Sequence, residues 1–511
     1  MEKVKKKKGI LNGIEKVGNA LPHPATIFIL LCAGLVLLSA VLAKMGVNVT
    51  YTGVDNHTME VKEMTANVVS LLSPDGIRFM FESAVSNFTG FAPLGTVLVA
   101  LLGVGVAEGT GLIGTLLRKL VTSTPKRLIT VVVVFAGIIS NIASDAGYVI
   151  LIPLGAIVFL SFGRHPLAGL AAAFAGVSGG FSANIIFGPT DALLSGISQE
   201  AAASVVPGYE VGIASNWYFL IASTVLITIV GTIITEKIVE PRLGEYKGKK
   251  QIEKVEGISK EEKRGLLFSG VALLIFAILM AILVVPEGSP LRNPETGEIL
   301  KSPFMSSMVA IISLAFMIPG IAFGIGKGEI RNDKQVVSLM SKSMASMGGY
   351  IVLVFFAAQF VAYFNYTKIG TVVAVNGADF LKNIGLTGVP LIIAFIAVSA
   401  FINLFMGSAS AKWAIMAPVF IPMFMDLGYT PELIQMAYRI GDSSTNIISP
   451  LMTYFALIVA FAEVYDEDTG IGTLISTMVP YSIGFLICWS ILLVAWFLLG
   501  LPLGPGAGLF M

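Results

Sequence analysis

The chain has 511 residues, of which 55% are hydrophobic and only 13% are charged. This charged fraction is about half that of soluble domains, and apolar runs of about 20 residues recur along the whole length, so the sequence is that of a polytopic membrane protein. A formal net charge of +1 argues against a polyanionic partner such as nucleic acid. Two cysteines do not make a disulfide framework, and the three histidines have no metal-ligand spacing.

Hydropathy predicts an all-α chain with nine membrane-spanning segments. The predicted segments are 25–43, 92–117, 166–196, 217–237, 265–285, 305–326, 349–366, 432–462 and 472–499. Two further apolar regions, 127–162 and 388–427, are too long for one span and are interrupted by polar residues. Each is therefore predicted to be a re-entrant helical hairpin, which enters the membrane and returns on the same side.

The distribution of lysine and arginine predicts the orientation of these segments. With the basic N-terminus in the cytoplasm, 24 basic residues fall on the cytoplasmic side and 7 on the outer side. We therefore expect a multi-pass protein of the plasma membrane with a cytoplasmic N-terminus. The predicted divisions are a basic N-terminal segment 1–24, a first repeat half 25–237, a charged cytoplasmic linker 238–264, a second repeat half 265–499 and a C-terminal tail 500–511.

The two predicted hairpins are followed by two interrupted spans with related sequences. "SNIASDAGYVILIPL" at 140–154 resembles "GSASAKWAIMAPVFIP" at 407–422, and "SGGFSANIIFGP" at 178–189 resembles "GDSSTNIISP" at 441–450. Five spans separate the hairpins, so they enter from opposite sides and form an inverted repeat, which is characteristic of secondary transporters. Small polar residues in membrane helices often only permit close packing, but two matched pairs in matching topology favour the transporter interpretation.

The tips of the predicted hairpins carry small residues and charges, although the segments around them are apolar. Backbone groups freed at such breaks must bond to protein or cavity water, and their carbonyls, with Ser and Asn oxygens, can coordinate a cation such as Na⁺. Asp145 follows the first tip and is either a helix N-cap or an ion-site carboxylate. Lys412 follows the second tip and either meets a substrate carboxylate or pairs with an aspartate.

The strongest pair of intramembrane charges is Arg439 and Asp442. They are three residues apart on a predicted helix, so they share a face and can pair with each other. Asp442 is a candidate Na⁺ ligand or proton carrier, and Arg439 suits bidentate binding of a carboxylate. Glu108 is predicted to pair with Lys412 or Arg118, or to mark a proton site.

The motifs "GSASAKWAIMAPVFIPM", "YRIGDSSTNIISPL" and "LPHPATIF" resemble those of the p-aminobenzoyl-glutamate transporter (AbgT) family, and the resemblance covers essentially the whole chain. It implies a homodimer of nine-span protomers with two opposed hairpins, coupled to Na⁺ or to the proton gradient. Family members are associated with uptake of p-aminobenzoyl-glutamate, and others with export of sulfonamide antimetabolites.

The resemblance also implies the functional residues. The substrate-site residues carried across are Asp191, Ser410, Trp413, Pro431, Arg439, Asp442 and Pro450. Asn403 and Asp442 match the Na⁺ site of the family, and the candidate cation shell comprises Asn141, Asn184, Asn403 and Asn446 with nearby carbonyls. A p-aminobenzoyl ring could stack on the indole of Trp413 while Arg439 binds the glutamyl carboxylates.

Three other functions remain as alternatives to this transporter. A Na⁺-coupled dicarboxylate or citrate transporter of the same hairpin architecture is the nearest, although a small dicarboxylate needs no indole. The sequence has no suitably placed histidine or paired carboxylates for an intramembrane enzyme. It also has no pore-loop signature of a channel. The partners that we expect are therefore a small-molecule substrate, membrane lipid and a second copy of the chain, with no cofactor besides the coupling ion.

Overall fold

The computed structural model describes residues 24–54, 61–143, 147–246, 248, 257–299, 302–467 and 469–511, and it is mostly helical. The helices up to residue 243 are Pro24–Lys44, Pro74–Glu82, Ala84–Thr89, Ala92–Gly109, Leu112–Thr122, Ile129–Ser140, Ile152–Ser161, Pro166–Phe174, Pro189–Ala203, Trp217–Ile234 and Glu240–Leu243. Those that follow are Lys260–Val284, Pro303–Ser306, Met308–Lys327, Asp333–Ser346, Gly348–Tyr366, Ile369–Asn383, Gly388–Asn403, Ala409–Asp426, Pro431–Asn446, Phe455–Glu463 and Ile471–Leu498.

Six of the described helices are long and apolar enough to cross a membrane. A seventh candidate is formed by the segments Pro93–Gly109 and Leu112–Thr122, which are bent by 59° relative to each other. Gly111 lies between them with a φ of 81°, a left-handed conformation that glycine adopts without a steric penalty. The predicted span 92–117 is therefore bent, and the chain is a multi-pass membrane protein.

The first apolar region, predicted at 127–162, is interrupted in its middle. Helix Ile129–Ser140 leads into the 3₁₀ turn Asn141–Ala143, and a π-helical segment, Gly147–Leu151, precedes helix Ile152–Ser161. Asp145 falls in the gap at 144–146, outside the described residues, so its two predicted roles stay predictions. In the described part of this break, Asn141 Nδ2 donates to the Ile138 carbonyl, in agreement with the requirement that backbone groups inside a membrane find partners in the protein.

The interrupted span that follows also has an irregular centre. Helix Pro166–Phe174 continues into the π-helical segment Ala175–Gly179 and ends before a non-helical stretch at 180–188. A new helix, Pro189–Ala203, begins with proline at its first position, where the missing N–H costs no intrahelical hydrogen bond.

The helices of the second half that correspond to these two regions are also interrupted. Helix Gly388–Asn403 ends before the non-helical residues 406–408, and helix Ala409–Asp426 begins when Ser408 Oγ accepts a hydrogen bond from the Ala411 amide at 3.3 Å. Helix Pro431–Asn446 follows, and an irregular stretch containing Pro450 separates it from helix Phe455–Glu463.

The segments between the predicted spans contain structure that hydropathy did not predict. Strands Asn48–Val54 and Val61–Asn67 form an antiparallel pair in which Asn48 is opposite Asn67. Helix Ile369–Asn383 occupies most of the predicted outer segment 367–387. Helix Asp333–Ser346 has no buried residue and begins when the Asn332 side chain accepts a hydrogen bond from the Gln335 amide, so local capping rather than apolar burial marks its start.

The C-terminal residues pack against the connection between helices Ala409–Asp426 and Pro431–Asn446. The Met511 amide donates to the Gly428 carbonyl at 3.0 Å, and the Thr430 amide donates to the Leu509 carbonyl at 3.2 Å. The ring of Phe510 lies 5.8 Å from that of Tyr429. These contacts, named here the C-terminal clasp (residues 509–511 on residues 428–430), lie directly before the start of helix Pro431–Asn446.

Candidate functional site

Helix Pro431–Asn446 supplies most of the polar groups of the candidate site. All sixteen of its residues are buried. Gln435, Arg439, Asp442 and Asn446 are spaced by four, three and four positions, so they form one polar stripe along the helix. Because buried polar groups require partners, the neighbours of this stripe define the site.

Arg439 forms an ion pair that joins the two halves of the chain. One of its terminal nitrogens lies 2.7 Å from Asp191 Oδ1, and the two side chains are 2% and 3% exposed. The other Asp191 oxygen accepts a hydrogen bond from the Gly188 amide at 2.7 Å, which holds the carboxylate at the start of helix Pro189–Ala203. Asp191 is therefore a buried residue of the site rather than a surface carboxylate.

A second ion pair lies on the same polar stripe. Lys412 Nζ is 2.5 Å from Asp442 Oδ1, and the two side chains are 0% and 1% exposed. The same ammonium group also contacts Asn403 Oδ1. Of the two predicted roles for Lys412, pairing with an aspartate is the one that the structure shows.

Arg439 and Asp442, which the spacing allowed to pair, do not pair with each other. The two residues share a face of the helix, as the spacing requires, but each pairs with a residue from another helix. Arg439 bonds to Asp191 and Asp442 to Lys412. Spacing along a helix predicts which side chains are neighbours, but it does not predict which partners neighbouring helices bring to them.

Asn403 is the centre of the hydrogen bonds around the second ion pair. Its Nδ2 atom lies within hydrogen-bond distance of the Asp442 carbonyl at 2.6 Å, and of Thr445 Oγ1 and Asn446 Oδ1 at 2.9 Å each. Its Oδ1 atom accepts from Lys412. Three of the predicted cation-site residues, Asn403, Asp442 and Asn446, are thus brought together.

The other two predicted cation-site residues belong to the first half. Asn141 Nδ2 lies 3.1 Å from the Ile138 carbonyl and 3.5 Å from the Gly180 carbonyl. Asn141 Oδ1 is buried and has no hydrogen-bond partner among the described residues. Asn184 Oδ1 accepts from the Ile185 amide at 3.1 Å. The hydrogen bonds therefore group Asn141 with the first interrupted span.

Trp413 is fully buried beside these ion pairs. Its indole ring stacks on Tyr438, with centroids 4.5 Å apart and planes inclined by 23°. Its Nε1 atom donates to Ser198 Oγ at 2.9 Å. Tyr438 in turn donates to the Ala409 carbonyl at 2.5 Å. In this conformation an aromatic ligand has no access to the indole face that Tyr438 covers.

A chain of hydrogen bonds extends from Trp413 to the loop before helix Trp217–Ile234. Ser198 Oγ lies 2.6 Å from Gln435 Oε1, and Gln435 Nε2 donates to Asn216 Oδ1 at 2.9 Å. None of Ser198, Gln435 and Asn216 was predicted from the sequence. The spacing of the polar stripe could have identified Gln435, but Ser198 and Asn216 carry no comparable signal.

Tyr209 lies outside the predicted spans and bonds to Glu432, a residue of the same buried helix as Gln435. Its hydroxyl donates to Glu432 Oε2 at 3.0 Å. Burial raises the pKa of Tyr209 above its usual range, and the neighbouring Glu432 carboxylate raises it further. The phenol therefore stays protonated at physiological pH and remains a hydrogen-bond donor to Glu432.

The remaining predicted site residues lie around the same helices. Ser410 Oγ is 3.3 Å from Ser408 Oγ at the start of helix Ala409–Asp426. Pro431 is the first residue of the buried helix, and Pro450 lies in the break after it. Glu108 is exposed near the end of helix Ala92–Gly109. Of its two proposed partners, Lys412 pairs with Asp442, and Arg118 pairs with Glu262.

Buried ion pairs, amides and hydroxyls lie together near the breaks of interrupted membrane helices. This arrangement defines a class of protein, the membrane transporters with binding sites at helix breaks. Residues 9–511 match the model of the "AbgT putative transporter family". The chain belongs to the AbgT family, which is a family of transporters and not of enzymes.

Three relatives cover nearly the whole chain. The p-aminobenzoyl-glutamate transport protein of Escherichia coli strain K12 is 41% identical over 493 residues, which are 96% of this chain and 95% of that protein. The YdaH transporter of Alcanivorax borkumensis, whose crystal structure has an unusual topology, is 48% identical with a TM-score of 0.89, over 95% of this chain and 100% of that one. MtrF of Neisseria gonorrhoeae, associated with a class of antimetabolite efflux pumps, is 51% identical with a TM-score of 0.91, over 98% and 100%.

Proposed function

We propose that this protein is an ion-coupled secondary transporter of p-aminobenzoyl-glutamate or related folate-pathway compounds across the plasma membrane. The observation that carries the proposal is the pair of buried ion pairs, Arg439 with Asp191 and Lys412 with Asp442, at the breaks of membrane helices. Ionised groups are expensive inside a membrane and generally serve transport or coupling. The 41% identity to the E. coli p-aminobenzoyl-glutamate transport protein supports the choice of substrate.

The proposed architecture has nine spans and two opposed re-entrant hairpins, with a cytoplasmic N-terminus and two protomers in a homodimer. The interruptions at 141–151 and 404–408, and the breaks after Gly179 and Asn446, support the paired arrangement. In this proposal, 25–237 and 265–499 are the two repeat halves and 238–264 is the cytoplasmic linker. Alternating access then follows from movement of the hairpin-bearing segments around the site between them.

Substrate binding would use the positive charge of Arg439, which the Asp191 carboxylate neutralises in this conformation. A glutamyl carboxylate can replace Asp191 on the guanidinium of Arg439, so that Arg439 keeps an anionic partner while Asp191 is released. That exchange would open the ion pair between the two halves of the chain, which links binding to movement. Stacking of the p-aminobenzoyl ring on Trp413 would require Tyr438 to move from its present position.

Na⁺ is the proposed coupling ion, with H⁺ as the alternative because an aspartate can serve either. The second half would bind it with Asn403, Asp442 and Asn446, whose side chains are linked by hydrogen bonds. In the first half, Asn141 and Asn184 are the corresponding candidates. The buried Asn141 Oδ1, which has no hydrogen-bond partner among the described residues, is an oxygen that a cation there could use.

Similarity to MtrF supports a second candidate function, the export of sulfonamide-type antimetabolites. Such compounds carry an aminophenyl ring, as p-aminobenzoyl-glutamate does, but they lack its glutamyl carboxylates. They would therefore depend on Trp413 and not on Arg439. A dicarboxylate substrate would show the opposite dependence.

Uptake of labelled p-aminobenzoyl-glutamate into proteoliposomes tests the proposal, first with an inward Na⁺ gradient and then with a pH gradient alone. We expect gradient-driven uptake in which Arg439→Ala and Trp413→Ala each raise the apparent KM at least about tenfold, the effect of losing about 1.4 kcal/mol of binding. Arg242→Ala, which removes an exposed arginine bonded to Ser476, is the matched control.

Uptake that ignores both gradients would contradict ion coupling, and an unchanged KM in both site variants would contradict the proposed binding mode. Competition by sulfanilamide and by citrate in the same assay separates the alternatives. Inhibition by citrate alone would favour the dicarboxylate transporter.

A further inference from the structure

The ammonium group of Lys412 occupies the position at which the second half would bind a coupling cation. It lies 2.5 Å from Asp442 Oδ1 and contacts Asn403 Oδ1. These two oxygens belong to the residues assigned above to the Na⁺ site. The inference therefore rests on the proposed function and concerns the same site.

An ammonium ion and Na⁺ seek the same kind of ligand, a carboxylate or an amide oxygen. The Lys412 and Asp442 side chains are 0% and 1% exposed, so neither solvent nor salt screens charges at this place. A second monovalent cation on the same two oxygens would meet the ammonium group directly. Occupation by Lys412 and occupation by Na⁺ therefore exclude each other.

The charge balance of the site supports the same conclusion. The polar stripe and its partners contain two cations, Lys412 and Arg439, and two carboxylates, Asp191 and Asp442. Their charges sum to zero in this conformation. Na⁺ added to this set without the departure of Lys412 would leave one uncompensated positive charge in a buried place, which is strongly unfavourable.

We propose that Lys412 is a tethered competitor of the coupling ion. Na⁺ binds only when the ammonium group leaves Asp442 and Asn403, and the ammonium group returns when Na⁺ dissociates. The Asp442 carboxylate is then neutralised by a cation in both states. The carrier can therefore change conformation without Na⁺ and without an uncompensated charge in its interior. A consequence is that Lys412 lowers the apparent affinity for Na⁺.

Equilibrium binding of radioactive Na⁺ to the purified full chain in detergent tests this inference without any transport assay. We expect Lys412→Met, which retains most of the side-chain volume but no charge, to bind Na⁺ at least about tenfold more tightly than the wild type. Lys412→Arg keeps the cation and should stay at the weak wild-type level. Lys382→Met removes a half-exposed lysine that pairs with Asp426 and should change nothing.

The thermal stability of the same variants gives a second measurement. Without Na⁺, Lys412→Met leaves Asp442 buried with no cation, so its melting temperature should fall below that of the wild type. Addition of Na⁺, but not of choline, should raise that temperature more in Lys412→Met than in the wild type. If Lys412→Met does not fold, Lys412→Gln, which can donate a hydrogen bond to Asp442, replaces it in both measurements.

The outcomes separate this inference from the proposed function. If the wild type binds Na⁺ and the uncharged Lys412 variants bind it equally or more weakly, Lys412 is not a competitor, while sodium coupling stands. If no variant binds Na⁺, sodium coupling and the competitor role both fail. Tighter binding in Lys412→Met, lost again in Lys412→Met with Asp442→Asn, supports the inference.

Discussion

An asparagine in each half bonds to a backbone carbonyl at a helix break, but the two buried cations of the site, Lys412 and Arg439, both belong to the second half. Asn141 Nδ2 lies 3.5 Å from the carbonyl of Gly180, and Asn403 Nδ2 lies 2.6 Å from the carbonyl of Asp442. Aligning the two Asn-Ile-Ile motifs places Gly180 opposite Asp442. An asparagine at the first break of each half thus bonds to the same position of the following interrupted span.

The charged residues of the second half have small or apolar counterparts in the first. In the registers of the two motif pairs, Gly147 is opposite Lys412 and Val177 is opposite Arg439. A Cβ atom at Gly147 would lie 2.1 Å from Ser140 Oγ, and one at Gly180 would lie 2.4 Å from the Gly176 carbonyl oxygen. The asparagine-to-carbonyl contact is therefore similar in the two halves, whereas the second half supplies both buried cations and Asp442, and the first half supplies Asp191 to the ion pairs.

Loss of the Asp442 carboxylate should have the largest effect on stability. Asp442→Ala leaves the buried ammonium of Lys412 without its ion-pair partner, which costs about 3–5 kcal/mol of unfolding free energy. Denaturant titration in detergent measures this cost. The double variant Asp442→Ala with Lys412→Met should recover most of the loss. If the single and double variants are equally unstable, the ion pair does not govern the stability of the second half.

A side chain at the counterpart position of the first half should act through space and not through charge. Gly180→Ala places a methyl group against the Gly176 carbonyl and 2.6 Å from Ile138 Cγ1, and such overpacking costs about 1–3 kcal/mol. The loss of stability should not depend on Na⁺ concentration. Gly348→Ala, at a position where a Cβ meets nothing within 4 Å, is the matched control. An effect of Gly180→Ala no larger than that of Gly348→Ala would contradict the tight contact.

Removal of the Ser198 hydroxyl should have the smallest of the three effects. Ser198→Ala deprives Trp413 and Gln435 of a shared partner, at a cost of about 1–2 kcal/mol. Ser195→Ala removes a buried hydroxyl whose hydrogen bond among the described residues is to the Ala192 carbonyl one turn earlier, so it is the control. Melting temperatures in detergent compare the two variants. Equal shifts would show that the chain from Trp413 to Asn216 adds nothing beyond local packing.

Much of the membrane architecture could be predicted from the sequence because apolar length and small polar interruptions are local signals. The breaks near Asn141, Asn184 and Asn446 lie where the motifs indicated. The bend at Gly111 and helix Ile369–Asn383 were missed. Hydropathy averages over a window, so it does not register a change of direction inside an apolar run.

The candidate site could be predicted as a set of residues but not as a set of contacts. Arg439 and Asp442 were correctly placed on one helix face, yet their partners, Asp191 and Lys412, come from elements 248 and 30 residues away in the chain. Pairing between distant elements depends on how the helices pack. No local pattern in the sequence contains that information.

The C-terminal clasp has a consequence for how the protein is handled. Because Leu509 and Met511 bond to Thr430 and Gly428, the last residues brace the start of the helix that holds Arg439 and Asp442. A purification tag or fluorescent fusion attached directly to Met511 would weaken these hydrogen bonds. A flexible spacer should separate such additions from Met511, so that residues 509–511 keep their contacts with residues 428–430.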